Sequence, residues 1–166
     1  MLNEPLEING WKIFAHPLFL EQFELLLQQV ELLRDRDAQN SRQKNATKRL
    51  AAISKLIFEV IPEDPTRNEY RQGATLGEDY KHWFRVKFFQ QCRLFFRYHQ
   101  ASKMIVYVWV NDEQSKRADE SKTDADLVFK KMLGSGNPPD DWAELLAQAD
   151  LEFDRLKQVF DDVIDY

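Results

Sequence analysis

The sequence has a single cysteine, Cys92, and only three histidines among its 166 residues. One cysteine cannot form an internal disulfide, and His16, His82 and His99 are too scattered to complete a zinc site with it. The sequence also lacks an apolar run of about 18 residues and a basic, apolar leader, so it predicts neither a membrane span nor an export signal. We therefore expect a cytoplasmic protein with no metal, no cofactor and no membrane partner.

Acidic residues are absent from one long stretch of a chain that is acidic overall. The formal net charge is -5, yet residues 80–110 carry six cations and no Asp or Glu. In two segments, Phe84–Phe89 and Arg93–Tyr98, cations alternate with bulky apolar residues at the two-residue period of half-buried strands. Each strand should therefore direct its cations to one face. The six cations are Lys81, Arg85, Lys87, Arg93, Arg97 and Lys103.

The loop between these two strands decides whether their cations share one face. Residues directly opposite on antiparallel strands point the same way, so a two-residue turn, which pairs Lys87 with Leu94, would put the cations on opposite faces. A three- or five-residue loop instead pairs Lys87 with Arg93 or Phe95 and keeps one face apolar. We therefore predict a hairpin loop of odd length.

Apolar spacing predicts an α+β fold. Two helical stripes follow a first strand, and three further strands come before the last helices. The final strand is apolar on both faces, which is typical of a central strand. We expect one mostly antiparallel sheet with the helices packed against one side. The predicted strands cover 8–16, 82–89, 92–99 and 104–111, and the predicted helices cover 19–33 and 46–60, begin near Thr123, and run from Asp141 towards Phe160.

Length predicts a single domain over residues 1–166, because a chain of this size can bury one substantial core. We interpret 147–166 as a C-terminal helical extension. Residues 140–166 carry nine acids against Arg155 and Lys157. One hypothesis is that the apolar stripe of this extension docks on the body while its acids partly offset the basic face; the alternative is a merely solubilising helix.

A series of short motifs occurs in order from residue 9 to about residue 147. With these motifs the chain resembles the YhaV-type toxins, a branch of the RelE-like family of bacterial toxin-antitoxin systems. The resemblance implies a small RelE-like sheet with two N-terminal helices and C-terminal helices. The motifs are Asn9-Gly10-Trp11, Ala15-His16-Pro17, Ala46-Thr47-Lys48, Arg85-Val86-Lys87-Phe88, Arg93-Leu94-Phe95-Phe96-Arg97-Tyr98, Trp109-Val110-Asn111-Asp112-Glu113, Lys122-Thr123-Asp124-Ala125, Val128-Phe129, Lys131-Met132-Leu133, Pro138-Pro139 and Asp141-Trp142.

The same resemblance implies an activity and partners. It implies an endoribonuclease that cleaves messenger RNA and arrests translation, and an antitoxin with an AbrB-like DNA-binding module. Toxin and antitoxin together would repress their own operon, so operator DNA would be contacted only through the antitoxin. Whether the ribosome is a further partner stays open at the level of the sequence.

The resemblance places catalytic cations Arg85, Lys87 and Arg93 on the sheet, and Arg117 and Lys122 in a loop brought to the same cleft. RNA supplies its own nucleophile, the 2′-OH, so a metal-free site must remove that proton, stabilise charge on phosphorus and protonate the leaving 5′-oxygen. We expect Arg93 and Arg117 to hold the scissile phosphate, with Lys87 or Arg85 assisting proton transfer. The products would be a 2′,3′-cyclic phosphate and a 5′-hydroxyl.

Four further residues are candidates for binding the substrate. Arg97 and Lys81 belong to the acid-free stretch, Lys48 lies on the basic face of the second helix, and Trp109 could stack a base if its ring were exposed. The chain departs from the family at Cys92, where an aromatic residue is common. It also has Phe129 where a tyrosine is often found, so a tyrosine acid or base is not expected.

Two other functions remain compatible with the sequence. One is a non-cleaving interaction protein of the same fold, like the ParE-type relatives that inhibit a topoisomerase. The other is an RNA-binding module without chemistry. The clustered Arg85, Lys87 and Arg93 would be unnecessary for the first of these, and the nuclease is the leading hypothesis.

Overall fold

The structure, a computed structural model, describes residues 6–40, 44–72, 76–111 and 125–164. Its sheet has five strands in the order β1-β2-β5-β4-β3. β2 and β5 are parallel, and the other three pairings are antiparallel. The predicted α+β fold with a mostly antiparallel sheet is confirmed. The strands are β1 (Leu6–Ile8), β2 (Trp11–Ala15), β3 (Phe84–Phe88), β4 (Cys92–His99) and β5 (Met104–Val110).

The helices stand on both sides of this sheet. Within the described residues they are α1 (Pro17–Arg36), α2 (Asn45–Lys55), α3 (Ala125–Ser135), α4 (Trp142–Asp150) and α5 (Phe153–Ile164). Helix α2 continues through a π-helical segment, Leu56–Val60, into a last turn, Ile61–Glu63. The helix was expected to stop before Pro62, but a proline is tolerated in the first turn of a new helical segment, where its missing N–H would have no partner.

The central position predicted for the last strand is confirmed. β5 lies between β2 and β4, and its residues 105–110 are buried. The neighbouring strand β4 is also apolar on both faces at its centre. Phe95 and Phe96 are both fully buried and point to opposite faces of the sheet. A strand of this kind needs a cover on each face.

The expectation that the helices pack on one side is therefore wrong. Helices α1, α2 and α5 cover the face that carries Phe96 and Tyr107, whereas α3 and α4 cover the face that carries Phe95 and Trp109. The cations of β3 and β4 lie on this second face. The second face is covered because Phe95, an apolar residue, lies between Arg93 and Arg97 on it. Burying this ring requires a helix on that face.

Helix α3 supplies that partner and divides the cationic face. The ring of Phe129 stacks on Phe95 with the centroids 4.2 Å apart, and on Trp109 at 5.8 Å. Arg93 and Arg97 lie two positions before and after Phe95 on the same face of β4. Helix α3 consequently separates the cations at the hairpin end of the strands from Arg97.

The C-terminal helix α5 docks on the body through the apolar stripe seen in the sequence. Leu156 and Val159 are buried in the core under α1, and Phe160 packs edge-on against Phe58 with the ring centroids 4.7 Å apart. Arg155 adds an ion pair with Glu24 at 2.5 Å. None of the helices in the described residues is both long and apolar enough to cross a bilayer.

Candidate active site

The hairpin between β3 and β4 brings two of the predicted catalytic cations together. Its loop consists of Phe89, Gln90 and Gln91, so its length is three residues and the predicted odd length is confirmed. Lys87 is directly opposite Arg93 in the register. The two side chains therefore share a face, with Cβ atoms about 5 Å apart, as is usual for directly opposed residues.

This pairing of like charges is unfavourable on its own. Like charges directly opposite each other destabilise a sheet, and Lys87 is exposed without an ion pair to any described residue. Two adjacent cations without a carboxylate between them form a site that an anion would stabilise.

The guanidinium of Arg93 is held by the hairpin itself. Its Nη1 donates to the carbonyl oxygens of Gln90, at 2.8 Å, and Cys92, at 3.0 Å. In the part of the chain that the structure describes, Nε and Nη2 of Arg93 have no hydrogen-bond acceptor. One edge of the guanidinium is thus fixed, and the remaining donors are free to bind a phosphate in the bidentate manner typical of arginine.

Asn111, at the end of β5, fixes the hairpin in turn. It is only 1% exposed. Its Oδ1 accepts from the backbone N–H of Arg93 at 2.7 Å, and its Nδ2 donates to the carbonyl of Gln91 at 2.9 Å. Asn111 belongs to one of the family motifs but was not predicted to have a role; the available signal was a polar residue directly after a fully apolar strand.

Arg49, on α2, contacts the start of β4 and the end of β5 from the opposite face of the sheet. It donates through Nη1 to Cys92 Sγ at 3.4 Å and through Nη2 to the carbonyl oxygen of Asn111. Its neighbour Lys48, the helix cation predicted to bind substrate, has its side chain exposed on the helix surface. Helical spacing alone could not tell which of the two cations faces the sheet end.

Arg85 lies deeper on the same face and has a different environment. It is 6% exposed, pairs with Asp126 Oδ1 of α3 at 3.3 Å, and donates to the carbonyl of Gln72 at 3.3 Å. The structure therefore brings Arg85 next to the Lys87–Arg93 pair along the strand, but as a buried, ion-paired residue. Its catalytic role stays a prediction.

Arg97 lies on the other side of α3, in an aromatic sandwich. Its guanidinium carbon is 5.3 Å from the ring centroids of both Trp83 and Trp142, and its Nη1 donates to the carbonyl of Asp140 at 2.5 Å. Burial lowers the pKa of Arg97 from its ordinary value, and the nearby carboxylates of Asp140 and Asp141 partly oppose that shift. The structure separates Arg97 from Arg93 by about 13 Å along β4.

The other predicted residues are dispersed. Lys81 is exposed and pairs with Glu78 at 2.9 Å. Trp109 is 7% exposed, with its ring packed against Phe129 in the core, so it offers no open face for a base. Arg117 and Lys122 lie outside the described residues, and their roles stay predictions.

Comparison with known proteins identifies the family. Residues 13–150 match the YhaV toxin family, described as a toxin with endonuclease activity of a toxin-antitoxin system. The chain belongs to this family. It is 43% identical over 151 residues to Toxin YhaV of Escherichia coli O6:H1 and to Ribonuclease toxin YhaV of Escherichia coli K12, an alignment that covers 90% of this chain and 98% of each relative. No solved structure matches.

The histidines of this YhaV-family chain have partners away from the hairpin. His16 caps α1 by accepting from the N–H of Leu18 at 3.2 Å, and its Nε2 lies 2.6 Å from Gln148 Oε1. His82 bonds Asp140 Oδ1 at 2.6 Å. His99 is stacked on Trp142, with ring centroids 5.7 Å apart. Among the described residues there is no group of three side chains suited to hold a metal ion.

Proposed function

We propose that this chain is a ribonuclease toxin that cleaves messenger RNA by transesterification through the 2′-OH, with the scissile phosphate bound between Lys87 and Arg93. The observation that carries the proposal is the unneutralised Lys87–Arg93 pair across the three-residue hairpin. Family membership supplies the nuclease activity, and the name of the Escherichia coli K12 relative specifies RNA.

The chemistry of RNA cleavage suits such a pair. In the transition state the non-bridging oxygens of the pentavalent phosphorus carry more negative charge than in the ground state, and preorganised donors that face these oxygens lower the barrier. Arg93 meets that requirement, because the carbonyl oxygens of Gln90 and Cys92 fix one edge of its guanidinium in advance. The other edge can bind two phosphate oxygens.

Proton transfer falls to Lys87 rather than Arg85 in this proposal. The ammonium group of Lys87 is exposed beside Arg93, whereas Arg85 is buried against Asp126. An ammonium can donate its proton to the leaving 5′-oxygen as that oxygen becomes basic, while water or hydroxide from solvent takes the proton of the attacking 2′-OH. We assign phosphate binding to Arg117 as well, and a contribution of Lys122 to the same cleft, on the family resemblance alone.

The partners follow from the toxin-antitoxin system. We propose an AbrB-like antitoxin that neutralises the toxin in the cytoplasm, and repression of the shared operon by the two proteins together, with operator DNA bound through the antitoxin. RNA is the substrate, with or without the ribosome. Cleavage assays run with and without purified ribosomes separate those two cases.

The test is cleavage of end-labelled RNA by the purified protein, with EDTA present or absent. Wild-type protein should cleave equally in both, and Arg93→Ala should lower the rate by about 10²–10³-fold, as expected for loss of a donor that stabilises the transition state. Arg36→Ala, which removes an exposed arginine from the end of α1, is the matched control and should cleave as the wild type does.

Three results would contradict the proposal. Absence of cleavage in every condition would favour a non-cleaving binding protein. Inhibition by EDTA would exclude the metal-free mechanism. Full activity of Arg93→Ala, with the variant folded by circular dichroism, would exclude Arg93 as the phosphate ligand.

A further inference from the structure

Phe89, at the tip of the hairpin, is placed where a protein rarely puts a large aromatic residue. Its side chain is 53% exposed, and its backbone φ is 48°. A left-handed φ is an outlier for a bulky residue and is normally occupied by Gly, Asn or Asp. Strain of this kind is often found at functional sites.

The ring of Phe89 is positioned rather than loose. It packs beside Phe88 with the centroids 5.4 Å apart and the planes inclined by 55°. The backbone carbonyl of Phe89 accepts from the N–H of Gln91 at 2.6 Å, which tightens the loop. The aromatic ring is therefore held at the tip of the hairpin with part of its surface open.

In sequence, Phe89 is close to the residues of the phosphate site, whereas its ring lies beside Phe88, which packs against the core on the α2 face of the sheet. Lys87 is two positions earlier, and the next residue, Gln90, provides the carbonyl oxygen that holds Arg93 Nη1 at 2.8 Å. One hairpin thus carries two cations without a carboxylate partner among the described residues, and one exposed ring. Proteins that bind single-stranded nucleic acid combine these same two elements, cations for the backbone and aromatic rings for the bases.

We propose that Phe89 stacks a nucleobase of RNA that passes over the hairpin tip from the phosphate held by Lys87 and Arg93. The inference rests on the proposed function and extends it by a base-binding subsite. Phe89 replaces Trp109 in this role, since the ring of Trp109 is buried in the core. A phenyl ring has no hydrogen-bonding group, so the subsite accepts any base.

The experiment measures binding of fluorescent single-stranded 2′-O-methyl RNA, which lacks the nucleophile and stays intact, by anisotropy at low salt. Phe89→Gly and Phe89→Leu should weaken binding by about 5- to 100-fold, the contribution of one stacked base, whereas Phe89→Trp should bind at least as tightly as wild type. Glycine adopts this φ without strain, so Phe89→Gly should unfold at the wild-type temperature or above it. Leu25→Ala, an exposed apolar residue on α1, is the matched control.

A second arm tests the stacking itself. A set of oligonucleotides carries one abasic site each, at successive positions. Wild-type protein should bind one of them more weakly than the intact strand, and Phe89→Gly should bind that oligonucleotide and the intact strand equally. Equal binding by wild type, Phe89→Gly and Phe89→Leu would overturn the inference. So would a loss by these variants of antitoxin binding alone, which would make Phe89 a protein contact.

The outcomes also separate this inference from the proposed function. Wild-type protein that binds RNA through Phe89 without cleaving it would refute the ribonuclease and support the stacking subsite. Cleavage by the wild type together with unchanged RNA affinity in Phe89→Gly would support the ribonuclease and refute the stacking subsite. Wild-type protein that neither binds nor cleaves RNA would overturn both.

Discussion

Replacing Asn111 by alanine should both destabilise the protein and misplace Arg93. The side chain of Asn111 is buried and makes two hydrogen bonds to the hairpin, accepting from the N–H of Arg93 at 2.7 Å and donating to the carbonyl of Gln91 at 2.9 Å. Alanine at this position removes both bonds without introducing a clash.

The size of the effect follows from which groups lose their partner. A buried group left unsatisfied costs about 1–3 kcal/mol, and an exposed one costs less because water replaces the lost partner. The N–H of Arg93 lies in a half-buried residue, whereas Gln91 is exposed. We therefore expect Asn111→Ala to lower the free energy of unfolding by about 2–3 kcal/mol, most of it from the bond to Arg93.

The effect on cleavage should exceed the effect on folding. The hairpin carbonyls of Gln90 and Cys92 that hold the guanidinium of Arg93 belong to the loop that Asn111 anchors. A displacement of about 1 Å in a catalytic group can cost about 10²-fold in rate. Single-turnover cleavage by folded Asn111→Ala should therefore be slower by about 10- to 100-fold, with a smaller change in RNA affinity.

The assays are equilibrium urea unfolding and single-turnover cleavage at a temperature where the variant is folded. Asn40→Ala, which removes an exposed asparagine bonded to Asp37, is the control and should change stability by no more than about 0.5 kcal/mol. A loss below that value for Asn111→Ala would refute the energetic reasoning. A destabilised variant that cleaves at the wild-type rate would refute the positioning role.

Two further predictions concern pH and salt. Burial lowers the pKa of His16 below its ordinary value of 6.5. The unfolded chain therefore binds the proton first as pH falls, and stability is lost below about pH 6.5. Urea unfolding measured against pH should show this loss of stability, and His16→Asn, which keeps a capping oxygen, should make the stability depend less on pH. Lys87→Met should reduce the slope of log affinity for single-stranded RNA against log salt concentration by about 0.7, whereas Arg97→Met should leave it unchanged; equal slopes for wild type and Lys87→Met would show that Lys87 does not contact phosphate.

The strands and their register were predictable because they depend on local periodicity. Cations that alternate with apolar residues predicted β3 and β4. Their cations can share one face only across a loop of odd length, and the loop 89–91 has three residues. The sequence predicted a single first strand over residues 8–16. The structure has β1 and β2 joined at Asn9 and Gly10, whose φ values of 53° and 83° make the tight turn.

The surroundings of the candidate site were less predictable because they depend on contacts between distant segments. Arg49 reaches the carbonyl of Asn111, 62 positions away, and no periodicity in α2 distinguishes it from Lys48. Helix α3 crosses the cationic face for a reason that was visible in the sequence. Phe95 lies between Arg93 and Arg97 on that face, and an apolar residue in such a row indicates cover rather than solvent.

The division of the cationic face changes what its charge can do. Arg85 is paired with Asp126 and Arg97 is stacked between Trp83 and Trp142, so both are committed to interactions within the protein. Lys87 and Arg93 remain as the pair without a carboxylate partner among the described residues, next to the exposed ring of Phe89. The alternating cations are therefore not one extended patch for the RNA backbone. Under our proposal they form a short site for a single phosphate, and recognition of the adjacent nucleotide then depends on stacking at the hairpin tip rather than on charge along the strands.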